Sequence, residues 1–411
     1  MLAPDPYAAL RIRDFRLFVL SRLFITLAIQ IQGVVVGWQI YELTKDPLSL
    51  GLIGLAEAIP AITVSLYAGH IADIVERKKI IILCVALLSF CSISLLYFTT
   101  NLGGFLIQNG TLPIYAIIFV SGIARGFLSP ANFSLMPQLV DRSLYQNAIT
   151  WNSTVWETAS VGGPMIGGLV YGFFGITAAY TADALLVVTA FFCYLTIPNR
   201  PIPPVSAEQG IAEKIKAGVK FVFNNQIILG AITLDLFAVL FGGAVALLPI
   251  FADEILKVGE IGLGFLRSAP AIGALSMAVY ITHHPIKKGI GKILLWCVAG
   301  FGLCMIGFSL STSFWLSMGI LILSGMFDCV SVIVRSTLIH TLTPENMKGR
   351  VSAVNSIFIG SSNEIGMLES GVAAKLIGVV PSVIFGGCMT IAVVATTAWK
   401  ATKLRLLDKV S

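Results

Sequence analysis

Twelve stretches of about 20 mostly apolar residues, separated by polar or Gly/Pro punctuation, run through this chain, starting near residues 16, 48, 79, 112, 147, 175, 226, 260, 291, 314, 350 and 379. Helices of about that length cross a hydrocarbon core, because a helix satisfies its own backbone polar groups where no water can. The pattern predicts an all-α integral membrane protein with twelve transmembrane helices. Composition agrees: of 411 residues, 56% are hydrophobic and 12% charged, against about 25% charged in a soluble domain. A water-soluble enzyme is excluded on that ground.

Lysine and arginine fall unevenly between the stretches. One set of alternate connections holds 20 of them, including Arg11, Arg13, Arg16, Lys214, Lys216 and Lys220, and the other holds only Lys45, Lys257 and Lys375. Basic residues stay cytoplasmic, so both termini are expected there. The net charge of +6 forms no stripe of the kind nucleic acid requires. The seven cysteines lie inside apolar runs and read as core residues, leaving neither a disulfide framework nor a CxxC metal site. The four histidines lie near cytoplasmic ends without converging ligands, so no metal is expected, and the lack of a GxxxxGK[ST] motif argues against ATP. The first apolar stretch is too long for a cleavable signal.

Residues 198–225 differ from the other connections. A Pro-rich start (Pro198, Pro201, Pro203, Pro204) leads into a segment where Ile211, Ile215, Val219 and Val222 recur at roughly helical spacing among lysines. This predicts an amphipathic helix lying on the cytoplasmic membrane surface. It divides the chain into an N-terminal six-helix bundle, 1–197, a linker, 198–225, and a C-terminal six-helix bundle, 226–411.

The halves repeat. The runs beginning at Ser121 and Ser324 align at an offset of 203, under which Leu135 meets Leu338 and Gly163, Gly168 and Gly175 meet Gly366, Gly371 and Gly378. Earlier in each half, Gly54-LAEAIPAI aligns with Gly264-FLRSAPAI at an offset of 210, placing Pro60 over Pro270. Such a repeat implies two bundles related by a pseudo-two-fold axis, with substrate handled between them.

The third connection, Gly69-His-Ile-Ala-Asp73-Ile-Val-Glu-Arg77-Lys78, resembles the G-x-L-a-D-r-x-G-r-K signature of the major facilitator superfamily, departing from it at Ile74 and Glu76. In the fifth span, Gly163-Pro164-Met-Ile-Gly167-Gly168 is similar to the G-P-x-x-G-G core of drug:proton antiporters, with Ala159 at the position of an upstream glycine. The resemblance covers essentially the whole chain and extends to the siderophore and macrolide efflux branch. It implies that Gly69, Asp73, Arg77 and Lys78 form a cytoplasmic latch, with Asp141 as partner. It also implies that Gly163, Pro164, Gly167 and Gly168 form a pivot between the halves, for which simple tight packing is an equal alternative.

A charge at a span centre costs about 2.5–3.5 kcal/mol, so it is usually paired or placed in a cavity. Arg125 and Asp328 are repeat equivalents of opposite sign near mid-depth in the fourth and tenth spans. By resemblance they face each other across a central cavity, with Asp235 of the seventh span as a third substrate or proton group. Glu57 and Arg267 form a second equivalent pair nearer the outer face. With Glu157 and Glu364 they are interface charges, for which fixed salt bridges are as good a reading as gating or proton transfer. Asp183 and Glu369 read as structural, and Arg22 and Arg335 as helix-end residues that snorkel.

Together these readings predict a secondary active transporter of the bacterial inner membrane, a monomer without cofactor. It is expected to exchange protons for an amphiphilic small molecule such as a drug or siderophore, with lipids as its surroundings. The alternatives are a proton-coupled importer, a lipid flippase and a non-transporting receptor.

Overall fold

The computed structural model describes residues 7–100, 110–200, 219–242, 244–284, 286, 288–344 and 347–408, and those residues form helices and short connections without a strand. After a turn at Ala8–Arg11 come α1 (Arg13–Thr44), α2 (Pro47–Ile74), α3 (Arg77–Thr99), α4 (Leu112–Leu135) and α5 (Tyr145–Thr196). The second half contributes α6 (Gln226–Phe241), α7 (Ala244–Ile250), α8 (Gly259–His283) and α9 (Ile290–Leu310). It continues with α10 (Phe314–Leu342), α11 (Lys348–Ile377), α12 (Val379–Lys400) and the short α13 (Thr402–Arg405).

Among the described residues ten helical stretches are long and apolar enough to cross a bilayer. One of them, Asn147–Thr196, has 50 residues and would extend about 75 Å if straight, more than twice a hydrocarbon core. It is two spans joined at Gly175, whose φ of 82° breaks the helix and is open to glycine at little cost. α11 is the twelfth, more polar because it carries Asn355, Asn363 and Glu369. All twelve expected starts fall within three residues of an observed helix start or of Gly175.

Helix ends follow local chemistry. Asn225 caps α6 by accepting from the Ile227 and Ile228 N–H groups, meeting donors that would otherwise go unsatisfied. Lys45 and Lys257 take left-handed φ values of 48° and 54° where each half's first span ends, a place usually given to glycine.

The chain forms two compact units, Met1–Leu43 with Ala56–Ser206 and Thr44–Leu55 with Ala207–Ser411. The first is built on Phe15, Phe18, Ile81, Val85, Leu135 and Tyr194. The second is built on Leu234, Leu294, Val298, Val334, Leu338 and Leu404. Its α2 segment is fixed by Gly51 against Gly371, where an added Cβ on Gly371 would stand 2.9 Å from the Gly51 Cα, and by the Lys375–Asp46 ion pair at 3.3 Å.

The repeat is visible as equivalent packing inside each unit. Gly122 of α4 lies under Glu57 and Pro60 of α2, and Gly325 of α10 lies under Pro270 of α8. Gly163 approaches Gln30 of α1, and its equivalent Gly366 approaches Val239 and Leu240 of α6. Small residues let these backbones close on one another.

Most of the expected surface helix lies outside the described residues. Residues 219–224 are helical, and Val222 is fully buried with Ile228, Ile232 and Ile339. At this end of the linker Val222 faces inward, while Lys220, Phe223 and Asn224 stay exposed.

Candidate functional site: buried charges in each unit

In the second unit α6 carries Asp235 and α10 carries Asp328 and Arg335. The two α10 residues are seven apart, which puts them on one face about two turns from each other. Arg335 forms an ion pair with Asp235, and the two side chains are 4% and 7% exposed. Asp235 and Asp328 also line one cavity of about 10 Å³ together with Phe301, Phe327, Cys297 and Ser331, the space of a single water molecule. No hydrogen bond or ion pair joins the Asp328 carboxylate among the described residues. The cavity thus places an acid whose charge is matched beside one whose charge is not.

This arrangement corrects the reading of Arg335. Snorkelling requires a guanidinium that reaches the interface, whereas Arg335 is only 3% exposed and points its charge at Asp235. Residue depth along α10 suggested a helix end; the facing helix decided the partner.

In the first unit Arg125 of α4 is ion-paired with Glu57 of α2. The repeat matches Glu57 with Arg267 and Arg125 with Asp328 as equivalents, but the groups that touch are Glu57 and Arg125. The Gly122 approach to Glu57 and Pro60 brings the two helices close enough for the pair. The charge-swapped positions in the second unit, Arg267 and Asp328, form no ion pair with each other among the described residues. Arg267 is half-buried on α8, and Glu157 is half-buried on α5. The surroundings of Glu364 lie outside the described residues.

The sequence reading gave no partners for the polar end of α1. Gln39 accepts from the Tyr180 hydroxyl at 2.6 Å, and Glu42 accepts from the Tyr171 hydroxyl at 2.8 Å. Asn132, the repeat equivalent of Arg335, is buried and accepts from Tyr194 at 2.8 Å. A polar side chain inside an apolar run was the available signal for all three. Asp183 is 1% exposed, and its Oδ2 has no hydrogen-bond partner among the described residues.

The expected latch is described in part. Gly69 and Asp73 have helical backbone, but their surroundings lie outside the described residues. Lys78, at the start of α3, donates to the Leu195 carbonyl at 3.1 Å. A cation there satisfies the last turn of α5 and its partial negative charge. Arg77 lies beside it, and Asp141 is exposed at the turn after α4. Of the expected pivot, Gly163 meets Gln30, and an added Cβ on Gly167 would stand 3.1 Å from the Ile31 Cα. Both contacts are to α1 of the same unit, and Pro164 lies between the two glycines inside α5.

A family model described as transmembrane secretion effector matches residues 4–410. The enterobactin exporter EntS of Shigella dysenteriae serotype 1 (strain Sd197) is 26% identical over 340 residues, 83% of this chain and 80% of its own length. The EntS of Escherichia coli O1:K1 / APEC is 26% identical over 344 residues, with the same coverage. Among solved structures, a D-xylose-proton symporter superposes with a TM-score of 0.75 at 14% identity, over 94% of this chain and 97% of that one. A bacterial homologue of the iron transporter ferroportin gives 0.70 at 18% identity, over 96% and 99%. These structural likenesses establish the fold.

Proposed function

The chain belongs to the transmembrane secretion effector family of the major facilitator superfamily, and from that premise we propose that this transporter is a proton-coupled exporter of an amphiphilic small molecule. Siderophores are the substrate class favoured by the relatives' names. It works by alternating access in the bacterial inner membrane, with both termini cytoplasmic. The orientation rests on the 20 to 3 distribution of basic residues.

The observation that carries proton coupling is the pairing of unlike acids in one cavity. Asp235 has Arg335 as its counter-charge, whereas Asp328 has none among the described residues. An isolated charge in a span costs about 2.5–3.5 kcal/mol, and a proton removes that cost. Asp328 is therefore the proton carrier, and Asp235 with Arg335 is the fixed electrostatic frame around it. Arg125, paired with Glu57, belongs to the framework of the first unit.

The test is uptake of siderophores, dyes and antibiotics into inside-out vesicles under an imposed pH gradient. Gradient-driven accumulation is expected for the wild type, and Asp328→Asn is expected to remove the dependence on the gradient while leaving the protein folded. Equal pH-driven uptake by Asp328→Asn and wild type rejects the assignment.

A further inference from the structure

Residues 401–408 fold back onto the start of α9 and form a strap. The Gly289 N–H donates to the Asp408 carboxylate at 2.9 Å, and the Gly291 N–H donates to the Leu407 carbonyl at 3.0 Å. Leu404 is fully buried, and its Cδ2 would stand 3.0 Å from a Cβ added to Gly230 of α6. A Cβ on Gly291 would overlap the Leu404 carbonyl. Glycine at both positions is what lets the strap lie this close.

The strap gathers positive charge. Lys288 and Lys292 flank the glycines it bonds to, Lys403 and Arg405 flank Leu404, and Lys400 ends α12; all five are exposed. No ion pair joins any of them among the described residues. Asp408 is the single acid in segments 286–292 and 400–408, and its carboxylate is engaged by Gly289. Beside these cations Trp296, Trp399 and Leu406 are 76%, 75% and 71% exposed.

We propose that this surface is a binding site for an anionic phospholipid. α9 begins and α12 ends here, so the surface stands at a boundary between bilayer and water. The phosphate of the headgroup compensates the cations, while the glycerol and upper acyl region cover the two tryptophans and Leu406. Charge complementarity selects an anion, and the exposed apolar flank selects one with a hydrocarbon part. Tryptophan is suited to that level because its ring is amphipathic, and basic clusters beside spans bind acidic headgroups. Because Leu404 packs on Gly230, five residues before Asp235 on α6, an occupied site steadies the helix that carries the buried ion pair.

The experiment titrates the purified full chain in detergent with a short-chain phosphatidylglycerol, using phosphatidylcholine of the same chains and inorganic phosphate as comparisons. Each cation near a headgroup contributes about 1 kcal/mol, so Lys292→Gln and Arg405→Gln should each weaken phosphatidylglycerol binding about fivefold and the double variant about thirtyfold. Lys292→Arg should bind as the wild type does, and wild-type affinity should fall as ionic strength rises. Unchanged binding by the double variant, salt-independent binding by the wild type, equal affinity for phosphatidylcholine, or equal affinity for inorganic phosphate would each overturn the proposal. The salt series on the wild type keeps it testable should a variant fail to fold.

Discussion

Arg335 of α10 and Asp235 of α6 are ion-paired with both side chains almost wholly buried. Removing one member of a buried pair leaves the other charge uncompensated, at a cost of about 3–5 kcal/mol. Arg335→Ala should therefore lower the stability of the protein in detergent by about that amount. The double variant Arg335→Met/Asp235→Leu should recover most of the loss, because an apolar pair of similar volume leaves no stranded charge. Thermal melts of the three variants read this directly; a double variant as unstable as the single would contradict it.

The Glu57–Arg125 pair gives a second expectation. Its side chains are 20% and 33% exposed, so part of its attraction is screened. Groups in direct contact couple by about 0.5–3 kcal/mol. A double-mutant cycle through Glu57→Gln and Arg125→Gln should give a coupling in that range, and the swap Glu57→Arg/Arg125→Glu should fold better than either charge-reversed single. Additive singles would mean that the two charges do not act on each other.

Glycine positions on α10 and α11 separate packing from propensity. A Cβ at Gly366 would stand 2.8 Å from the Leu240 carbonyl oxygen, backbone that cannot turn aside, whereas a Cβ at Gly319 meets nothing within 4 Å. Overpacking costs about 1–3 kcal/mol, while Gly→Ala inside an unobstructed helix gains up to about 1 kcal/mol. Gly366→Ala should lower the melting temperature and Gly319→Ala should leave it equal or raise it. The opposite order would show that the α6–α11 contact is looser than described.

Outside the spans, Asp46 provides a pH dependence. Partial burial works to raise its pKa, but hydrogen bonds from Lys375 and Ser49 and the Lys375 charge outweigh it and hold the carboxyl below its ordinary value of 3.8. A depressed folded pKa adds stability that is fully present above the ordinary value and is lost as pH falls through the folded one. For an exposed pair the contribution is about 0.2–1 kcal/mol. Wild type should exceed Asp46→Asn by that margin at pH 7, and the difference should shrink below about pH 4. A gap that widens on acidification would have the wrong sign.

The helix starts were legible because length and hydropathy alone decide what spans a bilayer, and Gly175 marked the break in the 52-residue helix α5. The repeat was legible too, since Gly122 with Pro60 and Gly325 with Pro270 are equivalent contacts. Side-chain partners were not. Gly163 and Gly167 announced close packing, but α1 as their neighbour is a property of the assembled unit. Arg335 looked like a helix-end residue although Asp328, seven residues earlier, already shared its face.

By itself the sequence determined that the chain is a twelve-span helical membrane protein built from two related halves, because hydrophobic length and repeat spacing are properties of one dimension. Tertiary structure alone decided which charges neutralise one another: Glu57 with Arg125, Asp235 with Arg335, and Asp328 with none among the described residues. The reason is that Coulomb energy in a low-dielectric interior depends on separations of a few ångströms between different helices, and those separations exist only once the helices have packed.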